Sequence, residues 1–326
     1  MQPHQVLAER LGISQEVEVG SCWLTPLPYG LLHAVGEEAE AFLHGQLSSD
    51  VVGLAPEASQ LSSYNSPKGR VLALFRLFRL GDGLALRLPA ALVEPTLQRL
   101  RMFILRSKVE IQATDWAGMG LNEQRGGQGL EQLGIPIPEQ VDGVLHHGEL
   151  QLVRVPGEGV RLEVWGPVEA LGEQAEALQQ AGFTVASPQY WELEEIRAGL
   201  PEVYPETREA FVPQMLNLHR LGGVSFSKGC YPGQEVVARM HYLGKLKRRM
   251  FRVRFSAASA PAPGTPVQDP EGGSQGRIVR AAMVDDRTCE ALAVVALSAV
   301  EAAIPLAVEG EPMSWLELPY DVDDRA

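Results

Sequence analysis

The run Lys228-Gly229-Cys230-Tyr231-Pro232-Gly233 places a thiol two residues from an ammonium and just before a Pro-Gly turn. A cysteine acts as nucleophile or ligand only as thiolate, a form that nearby cations and helix N-termini favour. Lys228 offers the cation, and Pro232-Gly233 would start a helix through QEVVAR. Cys230 is therefore the expected reactive group, with Lys228 keeping it ionised. A lone thiol is more often a small packing residue, but a glycine-flanked loop belongs at a surface. Cys22 and Cys289 lack such surroundings and read as core.

Other chemistries are poorly provided for. The seven histidines show no metal-ligand spacing, and neither a phosphate-binding GxxxxGK[ST] loop nor a GxSxG nucleophile elbow occurs. Charge is more informative. The chain carries a formal −13, yet between 228 and 254 Lys228, Arg239, Lys245, Lys247, Arg248, Arg249, Arg252 and Arg254 face a single acid, Glu235. A charge run is commonly a solvated face, but a cationic island on an acidic body also suits a polyglutamate tail, a phosphate or an RNA backbone. Trp191 reads as a core anchor or as a platform for a flat heterocycle.

These residues need elements to hold them. Ser187-Pro188 and Gly199 bracket a helix carrying Trp191, and VEALGEQAEALQQ between Gly166-Pro167 and Gly182 has the apolar spacing of another. Helices are also expected over 36–43 and 89–105, and strands over 71–78, 84–88, 160–166 and 251–255. The Gly- and Gln-rich 118–134 and the proline-rich 256–276 read as loops. The mixture is α+β. Its 326 residues exceed one ordinary core, and the composition shift near 245 divides it into 1–245 and a small C-terminal β domain, 246–326.

Three scattered cysteines suit a reducing compartment, and Glu9-Arg10 interrupt any signal peptide. The apolar stretch 291–308 is broken by Glu301 and Pro305, so it reads as core rather than membrane span. A cytoplasmic location follows.

The run PQMLNLHRLGGVSFSKGCYPGQEVVARM (213–240), together with GQLSSDV (45–51), NSPKGRVLALFRLF (65–78), IRAGLPEV (196–203) and LELPY (316–320), resembles the YgfZ family, relatives of the glycine-cleavage T-protein. The resemblance implies a T-protein-like α+β architecture: two interlocked subdomains around a central cleft for tetrahydrofolate, plus a C-terminal β-barrel. It implies an accessory role for iron-sulfur enzymes such as a tRNA methylthiotransferase, hence in tRNA modification, with Cys230 as the working residue and tRNA as a further partner. Trp191 and Tyr29 stand where the family contacts folate, and Tyr231 and Arg239 join them as expected ligand contacts. Leu72 and Ala73 replace the acids that assist aminomethyl transfer in T-proteins, and Arg197 replaces a pterin-binding glutamate, so independent turnover is not expected. A folate-dependent one-carbon transferase and a plain RNA-binding module remain as alternatives.

Overall fold

The computed structural model describes residues 1–13, 20–124 and 126–322. They pack as two compact units: Met1–Leu43, Val51–Gln60 and Phe75–Trp191 form the first, and His44–Asp50, Leu61–Leu74 and Glu192 onward form the second. In chain order the elements up to the division at 191 are α1 (Pro3–Leu11), β1 (Cys22–Pro26), β2 (Tyr29–Val35), α2 (Ala39–Gln46), β3 (Ser59–Asn65), β4 (Val71–Leu80), β5 (Gly83–Pro89), α3 (Ala90–Ile104), β6 (Glu110–Ala113), β7 (Ala117–Glu123), α4 (Gln128–Gln132), β8 (Val144–His147), β9 (Leu150–Arg154), β10 (Val160–Gly166), α5 (Val168–Gln180), β11 (Thr184–Val185) and α6 (Pro188–Arg197). One sheet has the order β11-β1-β7-β10-β9-β8, the other β3-β4-β5-β2-β6.

Periodicity explains most of this. Leu171, Ala175 and Leu178 line one side of α5 and are buried with α1's Leu7 and Leu11. Strand β10 is buried along its whole length, including Arg161 and Glu163. Such burial requires pairing, and Glu163 accepts from Arg87 at 3.0 Å and from Trp165 Nε1 at 3.0 Å.

The expected loop at 118–134 is a correction. Its first part is β7, hydrogen-bonded on both sides to β1 and β10, and its second part contains α4. The strand AGMGLNE lacks β-branched residues because large rings lie over its glycines. A Cβ on Gly118 would stand 2.7 Å from the Trp165 ring, and one on Gly120 2.4 Å from that of Trp191.

The second unit continues with α7 (Gln234–Tyr242), β12 (Arg248–Ser256), β13 (Pro266–Gln268), β14 (Ser274–Met283), β15 (Thr288–Ala296), α8 (Leu297–Glu301), β16 (Ala307–Val308), β17 (Glu311–Pro312) and β18 (Ser314–Leu316). Its sheet, β17-β16-β13-β14-β15-β12-β18, curls into a half-barrel. Val253, Phe255, Ile278, Ala293 and Val295 fill the core. The expected loop 256–276 contains β13 and the start of β14. Cys289 is wholly buried here, its thiol pushed up to about 12 chiefly by burial. Among the described residues no helix is long and apolar enough to cross a membrane.

Candidate functional site

The octet 228–235 lies in the second unit, and its residues differ in burial. Cys230 and Gly229 are exposed, whereas Tyr231 is 6% exposed and Lys228 is half-buried. Lys228 Nζ donates to the carbonyl oxygens of His44 and Leu47, the latter at 2.6 Å. These carbonyls close the end of α2, where a cation is favoured by unpaired acceptors and the helix dipole. Desolvation pulls the ammonium down to about 8, with the Asp50 carboxylate opposing it. The Tyr231 ring centre lies 5.1 Å from Nζ, and burial pushes its phenol up to about 12. The contacts of Lys228 are thus those of an anchor for the loop.

Both flanks of the loop are clamped. Upstream, Ser225 N donates to Ser48 O at 2.8 Å, and Ser48 Oγ donates to Gly223 O at 2.6 Å and accepts from Ser63 N at 2.8 Å. Downstream, Gly233 has φ 77°, and a Cβ there would stand 2.5 Å from Ser66 O and 2.6 Å from Gly69 Cα. Only glycine permits both that left-handed backbone and that approach. The exposed thiol therefore sits between two fixed points.

The cationic island divides. Arg252 and Arg254 bind the buried Glu290 at 2.6 and 2.8 Å, with Arg197 Nε at 3.8 Å. Burial pushes the Glu290 carboxyl up, but hydrogen bonds from Arg254 and Arg252 outweigh it and hold the group below its usual range. Arg249 is itself buried. The exposed cations are Arg239 on α7, Lys245 and Lys247 just beyond it, and Arg254, already paired. The anion-attracting part of the segment is smaller than its composition suggests.

The two aromatic positions lie in the core of the first unit. Trp191 is 1% and Tyr29 2% exposed. The Arg161 guanidinium sits 4.3 Å from the Trp191 ring centre, that of Arg87 4.0 Å from the Tyr29 ring centre, and Trp23 meets Trp191 edge-on at 6.3 Å. Trp191 Nε1 is buried without a hydrogen-bond partner. Sequence reasoning missed Asn65 in the second unit, which is 1% exposed with neither amide atom partnered. Buried polar groups ordinarily find partners, so each would be satisfied by a water or a ligand group; NSPKGR, which starts at Asn65, is the local sequence around it. Leu72 and Ala73 on β4 are buried and apolar, and Arg197 pairs with Glu194 at 2.9 Å. Among the described residues no group of three or more His, Cys, Asp or Glu could hold a metal ion.

No protein-family model matches the chain. It is 31% identical over 273 residues to the tRNA-modifying protein YgfZ of Colwellia psychrerythraea, covering 82% of this chain and 83% of that protein. It is 29% identical over 309 residues to the tRNA-modifying protein YgfZ of Photobacterium profundum, covering 91% of each. Among solved structures it superposes on the glycine cleavage system aminomethyltransferase T from Bartonella henselae with TM-score 0.76, at 16% identity and over 97% of this chain and 96% of that one. The fold is thus that of the T-protein.

Proposed function

The chain belongs to the YgfZ family, and from that premise we propose that it is a folate-binding accessory protein of tRNA modification whose working group is Cys230. One observation carries the reading: Cys230 is exposed between the anchored Lys228 and the buried Tyr231, so the loop displays its sulfur outward. The names of the relatives support the link to tRNA modification, and the T-protein fold supports a reduced folate as ligand.

Folate, when bound, would supply a carrier for one-carbon groups. Trp191 fits such a ligand through its unpartnered Nε1, which would donate to a pterin carbonyl. Tyr29 is a poorer stacking surface because Arg87 covers its ring. Tyr231 and Arg239 complete the proposed contacts, with Arg239 offering charge to an anionic tail. Leu72 and Ala73 provide neither acid nor base, which favours an accessory over a transferase. The proposed clients are iron-sulfur enzymes, a tRNA methylthiotransferase among them, in the cytoplasm.

Isothermal titration with tetrahydrofolate tests the ligand. Binding should be measurable and weaken about tenfold in Trp191→Phe, the loss of one buried hydrogen bond. Absence of heat with the folded wild-type protein would remove the folate assignment. For the thiol, Cys230→Ala should lower tRNA methylthiolation in cells lacking the native copy; undiminished methylthiolation would sink that half.

A further inference from the structure

A cavity lies wholly within the second unit, lined by residues that precede the octet in sequence and by others from the end of α7 onward. Its volume is about 880 Å³, and its walls include Gln214, Arg220, Phe226, His241, Lys245 and, as the one acid, Glu301. That volume falls within the range of small-molecule sites, about 300–1,000 Å³.

Three features of the walls converge. Arg220 and Lys245 are permanent cations against the single carboxylate of Glu301, and Arg239 and Lys247 are exposed nearby in sequence. Phe226 and His241 in the wall stack at 3.7 Å and 12°, with Tyr242 edge-on to His241 at 4.7 Å, so part of the wall is a flat aromatic surface. Gln214 is 3% exposed; its Nε2 donates to Val237 O at 2.6 Å, which fixes the amide orientation, and its Oε1 is buried with no donor. A cationic group, a flat aromatic surface and an unsatisfied acceptor are together complementary to a phosphate, a heterocyclic base and an N–H or O–H of base or ribose.

We propose that this cavity binds a nucleotide, either free or as one residue of a single-stranded RNA. Arg220 and Lys245 hold the phosphate, the Phe226–His241 layer receives the base, and Gln214 Oε1 accepts from a ligand N–H or O–H. None of its lining residues belongs to the octet 228–235, and the proposal does not rest on folate binding.

Calorimetric titration of the full chain with AMP, adenosine, inorganic phosphate and a short single-stranded oligoribonucleotide tests it. AMP should bind at least about tenfold more tightly than adenosine or phosphate alone, since each lacks one half of the recognition. Lys245→Glu, at an exposed position, should weaken AMP about tenfold. Phe226→Ala should weaken AMP while leaving phosphate unchanged, and Cys230→Ala should leave all four ligands unchanged. An oligoribonucleotide that outcompetes AMP identifies a strand as the occupant, and equal affinities identify the free nucleotide. No binding of either AMP or the oligoribonucleotide to the folded protein, or AMP affinity indifferent to Lys245→Glu, would overturn the proposal.

Discussion

Lys228 is held by acceptors that lie far from it in sequence. Its position two residues from Cys230 suggested a partner for the thiol, whereas its ammonium lies on the carbonyls of His44 and Leu47. Those acceptors are remote in sequence, so no local pattern could reveal them, while the glycine beside Cys230 did announce exposure. The burial has a measurable consequence. With a folded pKa of about 8 against 10.5 for the free side chain, the unfolded chain binds more protons between these values, so stability rises with pH across that window. Below about 8 both states are protonated and the cost of burying the charge is fully present. Urea midpoints of the wild type relative to Lys228→Met should therefore climb from pH 8 to 10.5, and a flat difference would show an ordinary lysine. The thiols should differ as well. Iodoacetamide with mass mapping should modify Cys230 ahead of half-buried Cys22, and leave Cys289, buried and pushed to about 12, for last; labelling of Cys289 first would contradict the packing.

At the scale of elements, the loop and α7 form one device because two glycines meet. Gly233 and Gly69 both have positive φ, and a Cβ on Gly69 would stand 2.8 Å from Val236 Cβ. Gly233→Ala should cost about 1–3 kcal/mol through backbone strain and collision with the Ser66 carbonyl. Gly229→Ala, with nothing within 4 Å of the new methyl, should stay within about 0.5 kcal/mol of wild type. Chemical denaturation of the pair checks this, and equal effects would refute the clamp. The same physics decided which elements were legible. The helix 168–180 and strand 160–166 carry their burial in side-chain periodicity. The strand at Ala117–Glu123 does not, because its fit depends on the Trp165 and Trp191 rings standing where Cβ atoms would be. The site was legible to a similar degree: the octet is local, whereas the Gln214 cavity and the orphaned Asn65 amide arise only from tertiary placement.

For the whole chain, the sequence division at 245/246 remains a proposal, and it differs from the packing, in which Glu192 onward belongs with the C-terminal sheet. The two can be separated by one buried charge. All seven strands of the half-barrel and its apolar core lie after 246, so residues 246–326 have the means to fold alone. Arg280 on β14, however, is fully buried, and its guanidinium is met by Glu192 at 2.6 and 2.7 Å, Glu195 at 3.3 Å and the Leu200 carbonyl at 2.9 Å, all upstream of the cut. In the intact protein Arg280→Leu leaves carboxylates without their cation and should destabilise by about 3–5 kcal/mol. In the isolated fragment the same arginine has lost those partners while still lying on a sheet face that they covered, so Arg280→Leu should be neutral or stabilising. Thermal unfolding of both proteins with and without the substitution reads the sign directly. If the substitution destabilises the fragment as it does the full chain, Arg280 is held by groups within 246–326 rather than by α6.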